Sequence, residues 1–383
     1  MIKKYFALLL LLISFQLHSA ITMNSVDIDA PTADDVKTLD IGAAAPDFSL
    51  KGTDGKMYSL KSFAASTVLV VLFTCNHCPT AQAYEDRIIK FVNDYKGKGV
   101  RLVAIQPNSD RSVRFDEMGY TDINDSYDEM KIRAKDKKYN FTYLYDGATQ
   151  VTSHKYGAVA TPHVFIFDKA RKLKYQGRID DNEYIGREKV HNLTDAVNAL
   201  LENKPIEPAT TKVFGCSVKW AEKAASKIAE VQKWATEPVS LEKADLSAIK
   251  DLVKNEGNKK YRLINVWATW CGPCVAEFSS LVESNHMYRR RDFEFVSLSM
   301  DAPKNYDKAF SFLKEKYASN KNLIYDGTDK YALIDAIDPK WQGAIPYTIL
   351  VSPEGKIVHQ QMGQIDVLKL RKAIADHIGR YYD

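Results

Sequence analysis

Cysteine is scarce in this chain, with five residues in 383, too few for a disulfide scaffold, which spreads many cysteines through a short sequence. Charge of one sign is scarce too. The 53 basic residues stand against 49 acidic ones, and no long basic stripe is present to neutralise a phosphate backbone, so nucleic acid is not an expected partner. Long apolar runs are missing except for one at the start. With 45% apolar and 27% charged residues, the remainder has the composition of a packed, water-soluble protein, and its length suits two domains of ordinary size.

The one apolar run, Tyr5 to Phe15, follows Lys3 and Lys4 and leads to Ser19 and Ala20, the three-part order of a secretory signal peptide. It falls short of the ~20 residues a helix needs to cross a bilayer, so an uncleaved anchor is the weaker reading. Residues 1–20 are expected to be removed on export to the periplasm or another extracytoplasmic space, and residues 21–42 to form a flexible leader.

Four of the five cysteines form two tight pairs, Cys75-Asn76-His77-Cys78 and Cys271-Gly272-Pro273-Cys274, with Cys216 alone between them. Each pair follows an apolar, β-rich run (Thr67 to Phe73; Leu263 to Trp267) and precedes a helical stretch (Ala81 to Val92, entered through Pro79; Val275 to Val282), so both are expected where a buried strand gives way to a helix. Unpaired amides and the positive end of the helix dipole favour thiolate there. Thiolate is the attacking species in disulfide exchange, and two intervening residues let the second sulfur close on the first. A zinc ribbon would bring its two pairs within ~15–20 residues of each other, so no metal is expected. Covalent haem needs His directly after the second cysteine, and Pro79 and Val275 stand there instead. The expected cofactor set is the redox-active disulfides alone.

The sequence also repeats itself. Phe141 to Gly147 is echoed by Asn322 to Gly327, Ala160-Thr161-Pro162 by Ala344-Ile345-Pro346, and Gly177-Arg178-Ile179-Asp180 by Gly363-Gln364-Ile365-Asp366. Two homologous α/β domains, each a central mixed sheet flanked by helices, explain this economically. The expected boundaries are 43–205 and 239–383. Between them, 206–238 is read as an extension with Cys216 and an amphipathic linker helix, whose Ala221, Ala224, Ile228, Val231 and Trp234 share one face. The run Arg289-Arg290-Arg291 reads as a solvated helix end, and Trp267 and Trp270 as packing and surface platform.

The stretch Trp267-Ala268-Thr269-Trp270-Cys271-Gly272-Pro273-Cys274 with Glu277 resembles the active site of thioredoxins, particularly the exported TlpA type. That resemblance implies Cys271 as attacking sulfur, Cys274 as resolving sulfur and Pro346 as the cis-proline that helps bind substrate backbone. The first domain resembles the peroxiredoxin-like redoxins of the AhpC/TSA type, through Ala45-Pro46-Asp47-Phe48-Ser49-Leu50, Asp54-Gly55-Lys56, Phe73 to Pro79, and Thr161-Pro162, where Pro162 takes the same role. This group often ends in Gly-Cys-x-x-Lys-Trp, found here as Gly215 to Trp220, which makes Cys216 a third redox thiol whose partner the sequence does not name. Val71 and Cys75 stand where true peroxiredoxins carry Pro and Thr before the peroxidatic cysteine.

His77 directly precedes Cys78, as in oxidising members of the fold, and is expected to stabilise the Cys75 thiolate; Gly-Pro is the more reducing spacer. Glu277, one helical turn past Cys274, is placed to handle a proton. The sequence thus points to a thiol–disulfide oxidoreductase acting on protein thiols and disulfides. An upstream thiol donor, membrane-bound or soluble, would supply electrons, with a relay from Cys271/Cys274 to Cys75/Cys78 as the further expectation. The rivals are an antioxidant thiol peroxidase with a fused reductant domain and a non-enzymatic binding or chaperone module. Oligomeric state is not legible.

Overall fold

The computed structural model describes residues 36–382. The expected signal segment, and the leader up to residue 35, lie outside them. From Val36 the chain is part of the fold rather than a loose leader. Val36 and Leu39 pack on the first core, and the Leu39 and Gly42 amides donate to the Tyr156 and Leu173 carbonyls at 3.2 and 2.8 Å.

The first half runs β1 (Ser49–Gly52), β2 (Met57–Ser59), β3 (Val68–Phe73), α1 (Pro79–Asp94), β4 (Val100–Gln106), α2 (Tyr127–Asp136), β5 (Thr142–Tyr145), α3 (Val151–Tyr156), β6 (Ala160–Thr161), β7 (His163–Phe167), β8 (Leu173–Gly177) and α4 (Asn192–Leu201). A short strand β9 (Cys216–Ser217) and the helix α5 (Ala224–Trp234) follow. The second half runs β10 (Glu242–Ala244), α6 (Leu246–Lys254), β11 (Tyr261–Trp267), α7 (Gly272–Tyr288), β12 (Phe293–Ser299), α8 (Tyr306–Glu315), β13 (Lys321–Tyr325), α9 (Lys330–Ile337), β14 (Tyr347–Val351), β15 (Ile357–Met362) and α10 (Val367–Ile378).

Two mixed sheets result, in the orders β2-β1-β5-β4-β3-β7-β8 and β10-β13-β12-β11-β14-β15. The shared part is β5-β4-β3-β7-β8 matched by β13-β12-β11-β14-β15. In each, three parallel strands are followed by two antiparallel ones. The sequence echoes therefore mark two α/β folds in tandem. β3 is buried along its whole length because both faces of its sheet are covered. Val68, Val70 and Leu72 feed one core, Leu69, Val71 and Phe73 the other, as the two-residue period of a strand requires. The central strand of each shared five-strand part, β3 or β11, runs straight into the helix that starts at a cysteine pair.

The chain after α4 does not leave the first fold. Gln176 and residues 209–211 exchange backbone hydrogen bonds at 3.1 Å, and Val218 and Trp220 are buried in the first fold's core. The expected one-sided helix is only partly so: Ile228 is 60% exposed, while Trp234 stacks on His286 and meets Phe115.

The arginine run is not a solvated helix end. Arg289 grips Glu237 through two bonds of 2.6 and 2.7 Å, and Arg290 reaches Asp116 at 2.8 Å. Arg291 donates to the carbonyls of Gly119, Ile378 and Gly379 and lies over the Tyr120 ring. Each partner is remote in sequence, so the charge pattern alone could not reveal them. The Arg290–Asp116 and Arg291–Gly119 contacts, with Tyr288 Oη donating to Thr121 O (2.7 Å) and Arg380 to Asp122 (2.5 Å), dock the two folds around a shared apolar cluster of Val113, Met118, Leu281 and Met287.

Candidate active sites

In the second fold Cys271 is the N-cap of α7, and its sulfur accepts the Cys274 amide at 3.3 Å. Cys271 and Cys274 are joined as a disulfide, and Cys271 Sγ lies 3.7 Å from the Ile345 carbonyl, just before the cis bond to Pro346. Cys274 is buried and Cys271 is only 6% exposed, whereas the neighbouring Trp270 is 59% exposed. Beneath it Glu277 is buried and takes hydrogen bonds from Asn265 Nδ2 (3.1 Å) and the Ile365 amide (2.7 Å). Burial pushes its pKa up to about 6, although both hydrogen bonds pull it down. A carboxyl in that range can take and return a proton near neutrality.

The first fold does not repeat this plan. The helix α1 is capped by Cys78, the second cysteine of its pair, with Pro79 as its first residue. Cys78 Sγ lies 3.3 Å from the carbonyl of Thr161, which precedes the cis bond to Pro162. Cys78 is therefore the spatial counterpart of Cys271, and Ala81 stands where the second fold has Cys274. Cys75 approaches from the strand side, its sulfur 3.0 Å from Thr161 Oγ1. Pro79 at the first helical position carried this signal in the sequence; the cysteine spacing concealed it.

That register reverses the expectation about which sulfur is charged. Burial drives the Cys75 pKa well up, and the neighbouring Cys78 and Asp125 add to the rise. Burial opposes charge on Cys78 as well. Hydrogen bonds from the Cys216 and Cys75 thiols, the His77 charge and the first-turn amide of Ala81 outweigh it and hold Cys78 well below an ordinary thiol. The Thr161 carbonyl works against this, but it is one dipole facing two donors, a cation and a helix terminus.

His77 is fully buried. Its Nδ1 meets Asp125 Oδ2 at 2.5 Å. Burial alone would lower its pKa, yet the Asp125 charge raises it, which favours imidazolium beside the thiols. Asp125 also accepts from Asn108 Nδ2 (2.7 Å) and from the amides of Asn76 (2.7 Å) and His77 (3.3 Å). Cys75, His77 and Asp125 place one ligand-type atom each within 4.8 Å of one another. The carboxylate's roughly four lone-pair positions are nevertheless taken by these four donors, so the cluster is a hydrogen-bonded dyad beside thiols and a poor fit for an ion.

Asp125 and Asn108 were not legible as site residues. Asp125 sits in Asn124-Asp125-Ser126, where Ser126 caps α2, and such polar residues before a helix are ordinarily read as turn and cap. Cys216 is brought to the same cluster as Cys75 and Cys78. Trp267 is buried against Phe278 and Phe312 and packs rather than reacts. Among the described residues no helix is long and apolar enough to cross a membrane.

Two α/β folds, each with an N-cap cysteine whose sulfur faces the carbonyl before a cis-proline, carry the candidate sites. The AhpC/TSA family model matches residues 41–176 and again 238–360, more than half of the chain, so the chain belongs to the AhpC/TSA family. It is 33% identical over 95 residues to the thiol-disulfide oxidoreductase ResA of Bacillus subtilis (strain 168), covering 25% of this chain and 49% of that protein. To ResA of Bacillus cereus it is 30% identical over 105 residues, with 26% and 54% covered. The chain thus spans about half the length of these curated relatives. Among solved structures it is similar to the hypothetical protein SMc02350 from Sinorhizobium meliloti 1021, at 32% identity and a TM-score of 0.43 over 48% of this chain and 97% of that one. It is also similar to an uncharacterized conserved protein from Geobacillus kaustophilus, at 33% identity and a TM-score of 0.42 over 48% and 94%.

Proposed function

We propose that the chain is a thiol–disulfide oxidoreductase with two separate exchange sites, attacking through Cys78 in the first fold and Cys271 in the second. The observation that carries this reading is the shared geometry: in both folds a cysteine is the N-cap residue of a helix and its sulfur faces the carbonyl before a cis-proline. Thiolate at such a place attacks a disulfide sulfur, and a neighbouring thiol then displaces the departing chain. In the second fold the resolving sulfur is Cys274 and the proton acceptor is Glu277. In the first, Cys75 resolves, and the His77–Asp125 pair balances the charge on Cys78. The substrates are protein thiols and disulfides, met outside the cytoplasm as the basic, apolar and small-residue order of residues 3–20 suggests, with electrons drawn from a separate thiol donor.

The docking favours independent sites over a direct relay between the pairs. The hydrogen bonds and ion pairs between the folds gather at Tyr288 to Arg291 and Arg380, whereas Cys274 sits at the opposite end of α7, roughly 21 Å away at 1.5 Å per residue.

Insulin reduction tests the proposal. Activity should fall in part in Cys78→Ser and in Cys271→Ser and vanish in the double variant. Full activity in the double variant would overturn it and favour a binding module. Peroxide reduction is the second reading, supported by family membership and the helix-capping place of Cys78; peroxide consumption lost in Cys78→Ser, with insulin reduction unchanged, would promote it.

A further inference from the structure

Cys75 and Cys78 are almost wholly shielded, at 3% and 0% exposure, whereas Cys216 is partly open to solvent. Its strand β9 pairs antiparallel with β6 so that Cys216 stands opposite Thr161 and Ser217 opposite Ala160. Thr161 is the residue whose hydroxyl meets Cys75 Sγ and whose carbonyl meets Cys78 Sγ. Three sulfurs therefore gather around one residue, and Cys216 packs directly on the Cys75–Cys78–Ala81 cluster.

The segment that delivers Cys216 is fastened on both sides. Upstream, Thr211 Oγ1 accepts the Arg178 amide at 3.0 Å and shares a 2.7 Å hydrogen bond with Tyr175 Oη. Downstream, the Val218 amide donates to Val159 O (3.2 Å) and the Lys219 amide to Asn108 Oδ1 (2.9 Å). Asn108 is also the donor to Asp125, so the segment is anchored to the network that holds His77. Gly215, at φ +133°, passes so close that a Cβ there would lie 2.2 Å from the Thr161 carbonyl oxygen. Only glycine lets the cysteine after it come this near.

We propose that Cys216 is the exchange partner of Cys78 and the outlet of the first site, carrying oxidation from the shielded Cys75–Cys78 pair to a sulfur that an external protein thiol can reach. This rests on the thiol–disulfide reading above and deepens it. Once Cys75 and Cys78 are joined, Cys216 attacks Cys78 Sγ. The Cys78–Cys216 bond forms, the Cys75–Cys78 bond breaks, and the electron pair stays on Cys75, which takes up the proton that Cys216 gives away. No net oxidation occurs. An external thiolate then attacks Cys216 Sγ, forming a mixed disulfide and releasing Cys78 as the thiolate, the better leaving group of the three. A second thiol of that partner completes the exchange, so the partner leaves oxidised by two electrons and Cys78 and Cys216 are reduced.

The test uses the full chain, oxidised with diamide, alkylated and digested without reductant, as wild type and as Cys75→Ser. The expected result is a linked peptide pair carrying Cys78 and Cys216 in both proteins, with loss of both alkylated peptides in Cys75→Ser. Full alkylation of Cys78 and Cys216 in Cys75→Ser, while Cys271–Cys274 closes in the same sample, would overturn the inference and leave the oxidoreductase reading standing. Should Cys75→Ser fail to fold, the wild type decides: a Cys75–Cys78 link at every diamide concentration with no Cys78–Cys216 link also overturns it. Closure of neither Cys75–Cys78 nor Cys271–Cys274 in the wild type would remove the oxidoreductase reading and this inference together.

Discussion

Glu277 is 3% exposed, and burial lifts its pKa from 4.5 to about 6. The folded state therefore holds this proton more tightly than the unfolded chain does. The stability linked to it is fully present below pH 4.5 and is lost as pH rises through about 6. A shift of about 1.5 units corresponds to about 2 kcal/mol at neutral pH. Glu277→Gln cannot ionise and removes this dependence. It also presents only one oxygen where Asn265 and Ile365 each need an acceptor, which costs roughly 1 kcal/mol at every pH and cancels when the two conditions are subtracted. Denaturant unfolding of both proteins at pH 4.5 and 7.5 measures the remainder. The wild type should lose about 2 kcal/mol relative to the variant across that interval. A difference constant to within about 0.5 kcal/mol would refute a buried carboxyl titrating near pH 6 and, with it, the assignment of Glu277 as proton acceptor.

Asp125→Asn removes the charge that keeps His77 protonated, so the Cys78 pKa should rise; the pH profile of Cys78 alkylation, read by mass spectrometry, should move to higher pH, and an unmoved profile refutes this. Arg291→Ala removes the cation that reaches the Gly119 carbonyl across the docking surface and the Ile378 and Gly379 carbonyls within its own fold and should cost about 3 kcal/mol, with the two folds unfolding separately in calorimetry; a single unshifted transition would contradict the docking role. Gly215→Ala should push the Cys216 segment off Thr161, costing about 1–3 kcal/mol and speeding Cys216 alkylation, and wild-type rates and stability would show that the close approach is not needed.

The elements around both sites were legible because strong local signals mark them. β3 and β11 are continuous apolar runs, and Pro162 and Pro346 each stand immediately ahead of a strand. What escaped depends on long-range partners. The carboxylate that holds His77 charged is not visible until Asp125, 48 positions away, is brought to it, and Arg289 to Arg291 read as solvated until Glu237, Asp116 and the Gly119 carbonyl arrive. The one miss with a local remedy was the helix register, since a proline directly after Cys78 distinguishes a capping cysteine from one a turn earlier.

The Gly215–Ser217 segment along Thr161 sets a competition. A thiol tethered against its target reacts at an effective molarity that can reach ~10⁵ M or more when well oriented, whereas a dissolved partner is present at micromolar to millimolar levels. Any visitor to the buried pair therefore arrives second, after a resident that never leaves. On the exchange proposed above, the first fold converses with its own chain before it deals with another molecule, whereas the second, whose Cys271 is itself 6% exposed, holds no third sulfur of its own in that role.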